Sequence, residues 1–222
     1  MIRMLIAALL LFAAPVVAHA QTEQQTLVDR STLTLQDLLG PKDASDQRAL
    51  LRRAKGVIIC PQVFKAGFIL GGQGGSCVMS GHAANGWTAP AFYGLGSGSI
   101  GLQIGIQDAQ IVFIILTEKG LQALLDSQFK FGADASIAVA TVGVGIQGST
   151  TAALQADIVA FSLTRGLYAG LTLDGSHIGI KSDWNQIYYG RPIAAQQLVI
   201  SNEGQNPGAD PLREMLGRFS GG

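Results

Sequence analysis

The rhythm of apolar and polar positions changes along this chain, and each rhythm predicts a different element. Leu5–Ala18 is an apolar run broken only by Pro15. Leu27, Val28, Leu35, Leu38 and Leu39 then recur at helical spacing until Gly40-Pro41 stops them, which predicts a short helix inside Gln21–Gly40. A second helix is expected over Gln47–Lys55, with Ser45 or Asp46 as its cap and Gly56 as its terminator. On that helix Arg48, Arg52 and Lys55 share one narrow stripe, and Leu50, Leu51 and Ala54 fall on the adjoining face. The expected helix is amphipathic with a basic edge.

From Gly56 the pattern shortens to apolar runs punctuated by glycine, the mark of strands. Gly56–Cys60 and Ala66–Leu70 read as strands, and Gly71-Gly72-Gln73-Gly74-Gly75 reads as a sharp bend or a flexible, bulged stretch. Asn85-Gly86 signals a hairpin turn into Trp87–Leu95. Ile100, Leu102, Ile104 and Ile106 alternate with small or polar residues, which predicts one strand with a single greasy face. Gln110–Leu116 is apolar throughout, as in a strand covered on both faces, and Glu118–Ser127 is expected to be a helix packing through Leu121, Leu124 and Leu125. Ser136–Gly148 and Ile158–Leu163 are further strands, and Gly166–Leu173 meets Ile178–Lys181 through Asp174-Gly175. Asp183–Tyr189 forms a helical turn, and Asp210–Arg218 a terminal helix with Leu212, Met215, Leu216 and Phe219 inward. The fold class expected is α+β: a single domain with an antiparallel β-sheet or barrel-like core and peripheral helices at the N-terminus, middle and C-terminus.

The first apolar run decides where the chain works. Arg3 precedes it, it falls short of the roughly 18 residues needed to span a bilayer, and Ala18-His19-Ala20 places small residues where a signal peptidase reads. Residues 1–20 are therefore expected to be a signal peptide, 21–44 a polar leader with a short helix, and 45–222 the main domain. The protein is then exported, periplasmic or extracellular, and at most peripheral to a membrane.

Charge is sparse. Of 222 residues 14% are charged and 48% hydrophobic, and once Arg3 leaves with the leader the chain carries one net negative charge. No global field steers it toward nucleic acid. Cys60 and Cys77 are the only cysteines. In an oxidising compartment they can bridge, or they can stand as small buried apolar residues, and spacing leaves both readings open.

Catalytic and metal chemistry find little support. His82 and His177 stand beside turns without a ligand set around them, and Asp174, Ser176 and His177 lie too close in sequence for a hydrolytic triad. Gly96-Ser97-Gly98-Ser99-Ile100-Gly101 fits G-x-G-x-x-G, but strand-like alternation follows it where a phosphate-binding helix is needed. An enzyme is not expected, nor a cofactor.

Several blocks in order, Ala54-Lys55-Gly56-Val57, Lys65-Ala66-Gly67-Phe68, Gly71-Gly72-Gln73-Gly74-Gly75-Ser76, Trp87-Thr88-Ala89-Pro90-Ala91-Phe92 and Gly101-Leu102-Gln103-Ile104-Gly105, resemble the SYLF domain family. Phe131–Ser136, Arg165–Gly170, Leu173–Gly175 and Tyr188–Gly190 continue the resemblance, which runs from about Leu50 to Gly190. It implies membrane-lipid binding through an amphipathic helix and basic residues, with actin association in some fungal relatives. Carried onto this chain, the lipid-binding candidates are Lys55 and Lys65 inside matching blocks, with Arg48, Arg52 and Arg53 just before them. The partner expected is an anionic phospholipid or membrane surface. The alternative is an envelope protein-interaction or structural module with no lipid ligand.

Overall fold

In the computed structural model, residues 22–67, 70–100, 105–126, 128–141, 155–165, 173 and 176–221 are described. Helices are α1 (Glu23–Leu39), α2 (Ser45–Arg52), α3 (Glu118–Leu125), α4 (Ser182–Tyr189), α5 (Ala195–Val199) and α6 (Asp210–Ser220). Strands are β1 (Gly56–Gly67), β2 (Leu70–Ala83), β3 (Gly86–Trp87), β4 (Ala91–Ile100), β5 (Gly105–Ile115), β6 (Gln128–Lys130), β7 (Ile137–Thr141), β8 (Ile158–Arg165) and β9 (His177–Ile180). Eight of them form one curled sheet in the order β6-β9-β4-β2-β1-β5-β8-β7, and β3 pairs with the end of β2. Neighbours are antiparallel except β7 and β8. The fold is the expected single α+β domain.

Both faces of the sheet centre are buried, which is why its strands read as continuous apolar runs. Alternation sends Ile58, Cys60, Met79, Tyr93 and Phe113 to one core, shared with Phe129, Phe131 and α3's Leu121 and Leu124. It sends Val57, Ile59, Val78, Phe92, Val112 and Phe161 to the other, shared with α1, α2 and α6. Helix α1 enters that second core through Leu27, Val28, Leu35, Leu38 and Leu39, as its periodicity predicts. Thr22 caps it by accepting a hydrogen bond from the Gln25 N–H. Leu212 and Leu216 seat α6 beside it.

Cys60 and Cys77 form a disulfide between adjacent strands, both fully buried. It closes the cross-strand position next to a bulge: β1 keeps register with β2 to Ile59↔Val78 and resumes at Phe64↔Gly74, one residue longer than its partner. The same extra residue appears against β5 between Cys60 and Val63.

Several expectations are corrected here. The Gly71–Gly75 run is neither a bend nor a loose stretch. It lies inside β2, paired with β1 and β4 on its two edges. A Cβ on Gly75 would stand 2.3 Å from the Gln62 carbonyl oxygen, so the bulge of β1 occupies the space of a side chain. Neither Ser45 nor Asp46 caps α2; both lie within it, and the helix ends at Arg52 because Lys55 already pairs with the sheet through Ile115 O at 2.8 Å. Ile100 closes β4 and Ile106 belongs to the non-adjacent β5, so the alternating run is not one strand; residues 101–104 between them lie outside the described residues. His82 stands beside the Asn85-Gly86 turn as expected, but it is tied into the fold: it pairs with Trp87 from the end of β2, stacks on that ring with centroids 4.4 Å apart, and its Nδ1 bonds the Ala54 carbonyl. The hairpin at Asn85-Gly86 is present, with Gly86 at φ +107°. Residues 1–20, expected to be a signal peptide, and the Asp174-Gly175 turn fall outside the described residues.

Candidate functional site

The five basic candidates do not form one patch. Arg48 turns inward: its guanidinium donates to the carbonyls of Leu39 at 2.6 Å, Pro41 at 2.8 Å and Lys42 at 3.2 Å. It thereby satisfies orphan acceptors where α1 ends and the chain reverses into α2. Lys55 pairs with Glu118 at 3.1 Å, an exposed bridge at the start of β1. Lys65 lies ten residues further along β1, between Gln73 and Gln107, which puts it about 30 Å away at strand rise. Only Arg52 and Arg53, at the C-terminal end of α2, are both exposed and without an ion pair among the described residues. Loss of helical phase after Arg52 is what breaks the expected stripe.

A different feature stands out at the glycine-rich end of the sheet. An open groove of about 320 Å³ runs between the first half of α1, the bulge of β1 and the start of α4. Glu23, Thr26 and Arg30 form its helical side, while Gly74 and Gly75 give a floor almost without side chains. Pro61, Phe64 and Trp184 supply apolar walls, and Phe64 remains 48% exposed. Among the described residues Phe64 is the one exposed phenylalanine, tyrosine or tryptophan, and it shares its wall with Pro61.

Charge is arranged around these walls. Lys181, which precedes α4, lays its aliphatic stem across Gly94, where a Cβ would meet its Cγ, Cδ and Cε at 3.7–3.9 Å. Its Nζ donates to Ser76 Oγ at 2.9 Å and stands 3.6 Å from the Trp184 ring centroid. Burial lowers the Lys181 pKa, opposed by the Glu23 carboxylate nearby. Arg30 donates to Gln62 Oε1, and Gln62 in turn donates to Asp108 Oδ2 at 3.1 Å, which pins the bulge to both α1 and β5. Sequence reasoning missed this site because its parts come from residues 23–30, 61–76 and 181–184. The local signal available was Lys181 three residues before Trp184 at a helix start, the spacing that puts two side chains on one face.

Among the described residues no group of histidine, cysteine, aspartate and glutamate could hold a metal ion, and no helix is long and apolar enough to cross a membrane. The architecture therefore defines a class: a helix-braced, glycine-rich curled sheet that offers an open groove with aromatic walls, Arg30 in its lining and Lys181 held against Ser76 and Trp184 beside it.

The chain belongs to the Ysc84 (SYLF) family: its residues 96–219 match the family described as "Ysc84: Las17-binding protein actin regulator". The rat "SH3 domain-containing YSC84-like protein 1" is 27% identical over 173 residues, covering 77% of this chain and 51% of the relative. "SH3 domain-containing protein PJ696.02" of Schizosaccharomyces pombe is 30% identical over 191 residues, 84% of this chain and 43% of the relative. "LAS seventeen-binding protein 3" of Saccharomyces cerevisiae is 28% identical over 171 residues, 75% of this chain and 37% of the relative. The chain thus spans about half or less of the curated relatives it matches. The family match runs from the second half of β4 into α6, including Lys181 and Trp184, whereas Phe64 and the α1 side of the groove precede it.

Proposed function

We propose that this chain is an exported protein-interaction module whose partner seats in the groove between α1, the β1 bulge and Trp184. The observation that carries this reading is the half-exposed Phe64 beside Pro61 and Trp184 over a glycine floor: an aromatic anchor point that nothing among the described residues covers. The family description, which names a protein partner and actin regulation, supports a protein rather than a small metabolite as occupant. Export is supported by the leader pattern of residues 1–20 and by the Cys60–Cys77 bridge, since disulfides persist in oxidising compartments. A photo-crosslinking residue placed at position 64 in the source cells tests the reading. Discrete protein adducts are expected; adducts to lipid alone, or none, refute it.

A second reading, binding to anionic lipid, is favoured by Arg52 and Arg53, which are exposed side by side without ion pairs among the described residues. Two such residues contribute about 2 kcal/mol near an anionic surface, half of what all four basic residues of Arg48–Lys55 would give. Attachment of that strength is weak and salt-sensitive. Flotation with anionic and neutral vesicles decides it: equal recovery with both excludes the electrostatic contribution.

A further inference from the structure

We infer that the groove selects a partner segment presenting a carboxylate beside a bulky apolar side chain, with Lys181 and Arg30 as the groups that hold the carboxylate. The inference rests on the groove being the partner site and adds the chemistry of what it takes. Arg30 and Glu23 line this groove, and Lys181 stands against two of its lining residues, donating to Ser76 and facing the Trp184 ring. Neither cation has a carboxylate within ion-pair distance among the described residues. An ammonium has three N–H donors. One of those on Lys181 goes to Ser76 and the Trp184 ring faces the group at 3.6 Å, so capacity for a further acceptor remains. The Arg30 guanidinium spends one of its five donors on Gln62.

Preorganisation strengthens this reading. The stem of Lys181 is held flat over Gly94 and its head is fixed between a hydroxyl and a ring, so little side-chain freedom is left to lose on binding. Partial burial makes the ammonium's charge less favourable and pushes its pKa down. An incoming carboxylate would add a directly hydrogen-bonded counter-charge beyond that of the more distant Glu23, and such charge-assisted hydrogen bonds are about twice as strong as neutral ones. Pro61 and Phe64 lie on the opposite wall, suited to an aromatic or branched neighbour of that carboxylate. A basic segment would meet two like charges against a single Glu23.

A positional-scanning library of amidated hexapeptides, bound to the immobilised full mature chain, tests this directly. The retained pool should be enriched in aspartate or glutamate next to phenylalanine, tryptophan or leucine. Lys181→Gln should weaken retention of that pool at least tenfold, while Lys181→Arg keeps the acidic preference and Arg218→Gln, exposed on α6, leaves retention unchanged. Melting curves of each variant establish that it is folded. A pool enriched in lysine or arginine, no enrichment at all, unaltered retention by folded Lys181→Gln, or complete displacement by phosphatidylglycerol vesicles would overturn the inference. Protein adducts at position 64 together with a pool lacking acids would sink this inference alone; absence of both signals would sink the interaction reading as well.

Discussion

Removing the Cys60–Cys77 bridge should cost this domain a calculable amount of stability. The cysteines are 17 residues apart, and a cross-link of that span lowers the entropy of the unfolded chain by an amount worth about 3 kcal/mol at room temperature. For a domain of this size that corresponds to a drop in melting temperature of roughly 6–12 °C. Both side chains are fully buried beside the β1 bulge, so a Cys60→Ala/Cys77→Ala variant also loses packing. Comparing oxidised and reduced wild type cancels that second effect. The assay is urea unfolding of the three forms, with thiol counting on the denatured oxidised protein to confirm that no free thiol is present. Loss of about 3 kcal/mol on reduction is expected, with the double variant at least as unstable. Coincident midpoints for oxidised and reduced protein would refute the reasoning, since a bridge that does not restrict the unfolded chain cannot stabilise the folded one.

Asp157 should make stability depend on acid. Its carboxylate accepts from the Thr117 hydroxyl at 2.7 Å and from both N–H and hydroxyl of Ser136, with Lys119 at 3.6 Å, and these hold its pKa down at about 2. A depressed carboxylate stabilises the fold above its unfolded pKa and loses that contribution as pH falls from about 4 to about 2. Solvent screening at this partly exposed carboxylate holds the contribution to about 1 kcal/mol. The gap in urea midpoint between wild type and Asp157→Asn should therefore be wide at pH 7 and shrink to about a third by pH 2.5; a gap that ignores pH contradicts the assignment. Gly75→Ala forces a Cβ to within 2.3 Å of the Gln62 carbonyl and should cost on the order of 1–3 kcal/mol. Gly98→Ala, with nothing within 4 Å, should change stability by less than about 0.5 kcal/mol. Equal effects of the two substitutions in thermal melts would show that the bulge does not fill that space.

Helical periodicity gave α1 and α6 their buried faces, and the apolar runs Gly56–Cys60 and Gln110–Leu116 gave strands covered on both sides. Those elements are legible because one residue's burial is set by its own face. Glycine misled where its role is to make room: Gly75 sits in a paired strand because the bulge of its neighbour needs the space, which local composition does not carry. The basic stripe failed for a similar reason. Sheet pairing at Lys55 ends α2 at Arg52, and Arg48 is diverted to three carbonyls of the α1–α2 connection. The groove was illegible because the sheet order sets Phe64, Gly75 and Trp184 around one opening although they lie far apart in the chain.

The central claim is that a partner covers Phe64 and Trp184, and oxidative footprinting of intact cells against purified protein tests it most directly. Both side chains should be labelled several-fold less in the cell, while Ile187, 60% exposed on α4, is labelled alike in the two settings. Equal labelling of Phe64 and Trp184 in cells and in purified protein would mean that the groove stands empty where the protein works.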